Sequence, residues 1–130
     1  MPADAVAVDQ QVIWKHPQIL RFARSLIHHA IVAHCRGIEH FTTDIVPDAD
    51  RGDGSGIAGS VVTMLKNANL IENVGVFSMG KFYADRVKSE RPESKSRFIA
   101  RYKLVSPALA NEFLRRHGSA APMPRQEQLL

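Results

Sequence analysis

A chain of 130 residues, 45% hydrophobic and 23% charged, carries enough apolar material for one domain core without a disulfide framework or a structural metal. Its single cysteine, Cys35, excludes an intramolecular disulfide and suits a reducing compartment. The formal net charge of +4 is unevenly spread. Residues 79–103 hold Lys81, Arg86, Lys88, Arg91, Lys95, Arg97, Arg101 and Lys103 against Asp85, Glu90 and Glu93, a net of +5, whereas residues 39–54 hold Glu39, Asp44, Asp48, Asp50 and Asp53 against Arg51, a net of −4. A basic segment therefore follows an acidic one.

Residues 1–16 read as an arm with short apolar runs, and Trp14 is expected to dock on the domain. The N-terminus lacks a basic stretch leading into a long apolar run, and His28 and His29 interrupt the apolar stretch 26–33. Neither a secretory signal nor a membrane span is read, and a cytoplasmic location is the expectation. Pro17 opens a helix to about Arg36, in which Leu20, Ala23, Ile27, Ala30, Ile31 and His34 recur at three- and four-residue steps. Arg21, Arg24, Ser25 and His28 fall on its other side, and Gly37 suits a left-handed stop. Phe41 reads as a brief strand residue, Thr42 or Thr43 as the cap of a short helix limited by Pro47, and 48–56 as a flexible acidic loop.

A second clear helix spans about 57–68, with Ser55 as its cap and Ala58, Val61, Val62 and Leu65 as its apolar set. Asn69 ends it, and Leu70-Ile71 returns the chain as a strand. Two β segments follow, about 81–88 and 97–105, joined by a polar tip at 89–96. In the second, Phe98, Ala100, Tyr102 and Leu104 alternate with Arg97, Ile99, Arg101 and Lys103, the period of a half-buried antiparallel strand. Ser106-Pro107 starts a last helix that ends near Gly118, with Leu109, Phe113 and Leu114 as its buried stripe. Residues 119–130 read as a disordered tail, leaving 17–118 as the domain.

The order of helix, short helix, helix, basic hairpin and helix predicts an α+β fold. The segment Phe41-Thr-Thr-Asp-Ile-Val, the run from Gly56 to Ile71 and the stretch from Arg91 to Leu104 resemble the winged helix-turn-helix superfamily, above all small bacterial and phage members, over about residues 18–105. Asn69 stands where that superfamily's phrase carries glycine. The resemblance implies a non-enzymatic protein that binds double-stranded DNA, as a transcriptional regulator or a phage-type replication or control factor. Its recognition helix enters the major groove and its wing grips phosphates. On the helix the implied contacts are Ser55, Ser60, Thr63, Lys66 and Asn67, with Met64 also outward; on the wing they are Lys88, Arg91, Lys95, Arg97 and Arg101. A homodimer is a possible state, formed through the first helix, the last helix or the arm. Two other readings stand beside this one: an edge strand merely protected by charge, and a protein-interaction module in a nucleoprotein assembly, docking through the acidic loop 44–53.

Other sites fail on chemistry. The acidic glycine-rich run from Asp48 has Gly52 and Gly59 at the fifth and twelfth positions, where a calcium loop needs oxygen ligands. No Gly-Lys-Ser/Thr follows to make a phosphate loop. His28, His29, His34, Cys35 and His40 lack the three- or four-residue spacing of a zinc site on one helix. Cys35 has no evident base or orienting carboxylate, and no paired carboxylates stand out, so neither catalysis nor a cofactor is read.

Overall fold

The computed structural model describes residues 16–52, 56–91 and 97–117; the arm with Trp14, Ser55, Lys95 and the tail lie outside them. Three α-helices and small antiparallel sheets make an α+β fold. Helix α1 (Pro17–Cys35) begins with a proline in its first turn, and His16 caps it by accepting from the Ile19 N–H. It ends where Gly37 adopts φ +85°. Phe22, Ala23, Leu26, Ile27 and Ala30 are its buried residues of apolar character. His34, placed by spacing on that stripe, is exposed at the last turn. Ser25, expected on the outer side, is buried because its hydroxyl donates to Asp50 Oδ2 at 2.9 Å.

Strand β1 (His40–Phe41) leads into a 3-10 turn at Thr43–Ile45, capped by the Thr42 hydroxyl. A second 3-10 turn follows at Asp48–Asp50. These two turns replace the expected short α-helix, because Pro47 between them fixes its own φ and offers no N–H to a continuing ladder. The first part of the expected flexible loop is therefore structured. Arg51 anchors it, donating from Nη1 to the Thr43 and Val46 carbonyls at 2.7 and 3.2 Å while its guanidinium lies 5.3 Å from the centre of the Phe22 ring.

Helix α2 (Ile57–Asn67) has Gly56 at its N-cap, in a left-handed conformation without a side-chain cap, so the residue preceding the helix is not the expected Ser55. Val61, Val62, Met64 and Leu65 are buried against the core that α1 supplies. Each such side chain withdrawn from water contributes about 1.5–3 kcal/mol. Met64 was expected to point outward; its place on the inward stripe, three residues after Val61, decides otherwise. Asn69 takes φ 65° as expected, and the chain returns as β2 (Ile71–Asn73). Helix α3 (Pro107–Arg116) is capped by Ser106 and buries Ala110 and Phe113, leaving the expected core residue Leu109 46% exposed. Among the described residues, no helix is long and apolar enough to cross a membrane.

The β region is more branched than a single wing. Between β2 and α3 run β3 (Gly75–Ser78), β4 (Lys81–Ala84), β5 (Arg86–Lys88), β6 (Phe98–Ala100) and β7 (Tyr102–Leu104). The core sheet has the antiparallel order β1-β7-β2, with Phe41 opposite Tyr102 and Ile71 opposite Leu104. Two further ribbons, β3–β4 and β5–β6, project from it. The expected strand 81–88 is thus split at Asp85, and the expected strand 97–105 is split at Arg101. At the meeting point three backbone hydrogen bonds close a ring: Val74 N–H donates to the Arg101 carbonyl at 2.9 Å, Arg101 N–H to the Asp85 carbonyl at 3.1 Å, and Asp85 N–H to the Val74 carbonyl at 2.7 Å. The ring joins three ribbons while leaving none of those three N–H groups unpaired.

Candidate nucleic-acid interface

The outward side of α2 presents Ser60, Thr63, Lys66 and Asn67, all exposed. Steps of three, three and one residue place them along one stripe, because the opposite stripe is committed to the core. Hydroxyl, amide and ammonium groups in line are what a helix needs to meet base edges or phosphates. Lys66 also lies in the last turn, where a cation complements the helix dipole.

The second ribbon carries the basic groups. Its register sets Arg86 opposite Ala100 and Lys88 opposite Phe98, which puts Arg86, Lys88 and Phe98 on one face. Lys88 and Arg97 are exposed and form no ion pair among the described residues. Arg86 makes one long hydrogen bond, 3.4 Å to the Phe98 carbonyl. Burial raises the Tyr102 phenol above its ordinary pKa, and the Arg86 charge offsets part of that rise. Phe98, expected on the buried face of its strand, is 59% exposed because the ribbon has already left the core at Arg101.

Two expected wing contacts are engaged elsewhere. Arg101 is half-buried at the junction, donating from Nη1 to Asp85 Oδ2 at 2.6 Å and from Nη2 to His40 Nδ1 at 2.9 Å. A guanidinium forked between two partners is part of the scaffold, not an arm held out to phosphate. Arg91 is similarly drawn in, with Nη1 2.7 Å from Asp48 Oδ1.

The acidic segment is the other side of these contacts. Asp44 accepts from the Ser89 hydroxyl at 2.9 and 3.0 Å and from the Glu90 N–H at 2.8 Å, and so fixes the root of the second ribbon. Asp50 accepts from Ser25 and from Arg21 Nε at 3.0 Å, and so binds the segment to α1. The opposite charges that alternate along the sequence thus meet within the fold. An open cleft of about 320 Å³ remains where β1 faces the second ribbon, with His40, Asp44, Lys88 and Glu90 among its walls. Its mixed charges do not favour an anion.

A contact role for Arg86, strand β3 and its pairing with β4 are absent from the sequence-based expectation, which places a strand over 81–88 alone. Arg86 shares the period-two face of Lys88, a signal present in the sequence. The ribbon's signal was Met79-Gly80 between two apolar runs, weaker than the Asn-Gly that usually marks such a turn. Comparison with protein-family models, with curated proteins and with solved structures finds no match for the chain.

Proposed function

We propose that the chain is a winged helix-turn-helix protein that binds double-stranded DNA without chemistry, as a regulator or a replication-control factor. The observation that carries this reading is the exposed polar stripe Ser60, Thr63, Lys66 and Asn67 on α2, in a fold whose second ribbon, β5–β6, bears the exposed cations Arg86 and Lys88 with Arg97 beside it. The core sheet supports it as well, since β7 lies between β1 and β2 and so ties the ribbon's return strand to the helices. Helix α2 lies in the major groove, and the second ribbon tracks the neighbouring backbone through Arg86, Lys88 and Arg97. Arg91, Arg101, Asp44 and Asp48 hold that ribbon in position. Because those acids are engaged within the fold, the acidic segment is a support for the DNA surface in preference to a docking site of its own.

The test is duplex-DNA binding followed by fluorescence anisotropy across a salt series. Each neutralised phosphate contributes about 0.9 to the slope of log K against log salt. The set Lys66, Arg86, Lys88 and Arg97 therefore predicts a contribution of about 3.6 that a quadruple alanine variant removes. A wild-type protein that fails to bind at low salt, or a quadruple variant with the wild-type slope, refutes the proposal.

A further inference from the structure

The β3–β4 ribbon has two unlike faces. Its register pairs Val76 with Tyr83 and Ser78 with Lys81 on one face, and Gly75 with Ala84 and Phe77 with Phe82 on the other. The first of these faces suits water: Lys81 Nζ lies 5.6 Å from the centre of the Tyr83 ring, so a cation, a phenol and a hydroxyl share it. The second face has no polar side chain. Phe77 and Phe82 pack with ring centres 5.1 Å apart, and a Cβ on Gly75 would come within 2.5 Å of Phe82 Cζ, so the Phe82 ring covers the glycine. The result is an aromatic platform on which Phe77 remains 77% and Phe82 39% exposed. At the tip, Met79 is fully exposed and held at φ 54° beside Gly80 at φ 79°, the positive pair that a two-residue hairpin turn requires.

We infer that this platform is a homodimer contact, in which the β3–β4 ribbons of two copies stack Phe77 and Phe82 against their counterparts across a twofold axis. Charge favours a second copy. A twofold contact brings a patch against itself, so a patch rich in lysine or arginine repels its copy. In a chain of net charge +4, this face carries none. Charge also argues against nucleotide bases, since a stacking platform for single strands sets its rings beside cations. The only charged residue of the ribbon, Lys81, stands on the opposite face.

The area is adequate and sets the strength. Phe77, Phe82, Met79 and the small residues at the ribbon's root offer roughly 500 Å² per chain. Two copies then bury on the order of 1,000 Å², the lower end for a specific interface. The dimer is therefore concentration-dependent rather than obligate. The inference is independent of the DNA-binding reading.

Sedimentation equilibrium of the full chain without DNA tests it. Wild type is expected to pass from monomer to dimer mass across the micromolar range. Phe77→Glu, at a position too exposed to empty the core, is expected to raise the dimer Kd on the order of 100-fold or more, because a twofold contact carries the substitution twice. Tyr83→Glu on the opposite face is expected to leave the dimer intact, and thermal melts of both variants verify the fold. The inference is overturned by a wild type that stays monomeric, by a dimer indifferent to Phe77→Glu, or by equal disruption from Tyr83→Glu. It is also overturned if Phe77→Glu lowers the melting temperature of a monomer, which assigns the face to a segment of the same chain. Oligothymidylate binding by a monomer that Phe77→Glu abolishes assigns it instead to nucleotides, and equally overturns the inference.

Discussion

Replacing Arg101 with alanine is expected to loosen the fold and to leave the proposed DNA contacts intact. The guanidinium is held by Asp85 at 2.6 Å and His40 at 2.9 Å, with the Arg101 and Asp85 side chains 34% and 40% exposed. A hydrogen bond to a charged group is worth about 1.5–3 kcal/mol when well shielded, and a solvent-exposed ion pair about 1 kcal/mol or less. Partial exposure puts the loss between these values, at about 1–2 kcal/mol. For a domain of this size that lowers the melting temperature by about 5–10 °C. Arg101→Lys is expected to recover only part, because one ammonium cannot reproduce a planar fork between two partners. Circular-dichroism melts measure the stability, and anisotropy salt titrations well below the melting transition measure DNA binding. A variant that melts like wild type while its salt slope falls by about 0.9, one phosphate contact, refutes this reasoning and returns Arg101 to the DNA surface.

Other variants probe neighbouring parts. Asp44→Ala removes the acceptor of the Ser89 hydroxyl and the Glu90 N–H; faster amide exchange at Glu90 than at core residues such as Leu65 is expected, with a stability loss of about 1–2 kcal/mol. Burial, and then the His29 charge, lowers the His28 pKa; burial, and then the Arg116 and Arg24 charges, lowers that of His117. A depressed histidine pKa means that the unfolded chain binds protons first as pH falls below about 6.5. The associated stability is complete above that pH and is lost below it. Melting temperatures recorded from pH 7.5 downward should therefore fall, and a His28→Gln/His117→Gln double variant should fall less. Gly75→Ala forces the Phe82 ring off its seat and presses on the Tyr83 carbonyl; loss of the Phe77–Phe82 ring contact, followed by aromatic proton shifts in NMR, is the expected result.

Helix boundaries were legible wherever a local device set them. Pro17, Gly37, Asn69 and the Ser106-Pro107 pair act through backbone geometry within a few residues, so each reads directly from sequence. Strand breaks were not legible. The alternation from Phe98 to Leu104 runs on without a mark at Arg101, because the break is made by bonds from Val74 and to Asp85, more than ten residues away. Burial misassignments have the same origin. Ser25 is buried because Asp50 reaches it, and Phe98 is exposed because its ribbon has left the core. The polar stripe of α2 was foreseen except at Met64, since helical period alone fixes it once the inward residues are known. The internal partners of Arg91 and Arg101, Asp48 and Asp85, were not legible, because charge counts in sequence cannot tell a cation held by an internal acid from one held in solvent.

That distinction bears on the strength of the proposed DNA contact of a single copy. Among the cations of residues 79–103, Arg91, Arg101 and Lys103 face Asp48, Asp85 and Glu72 within the fold. Arg86, Lys88 and Arg97, with Lys66 on α2, are the described cations that the proposed reading sets against phosphates, and a protein making 6–10 such contacts loses about 10³–10⁵ in affinity between 50 and 200 mM salt. About four contacts would give a shallower slope and an affinity per copy closer to the non-specific range. Under the proposed reading, specific recognition would need two copies on one duplex, so that the second binds at the effective concentration set by the first. The uncharged aromatic face of the β3–β4 ribbon would join two copies without setting their basic ribbons against each other. The junction at Val74, Asp85 and Arg101 that separates the two ribbons would therefore keep the surface proposed for phosphate apart from the one proposed for a second copy.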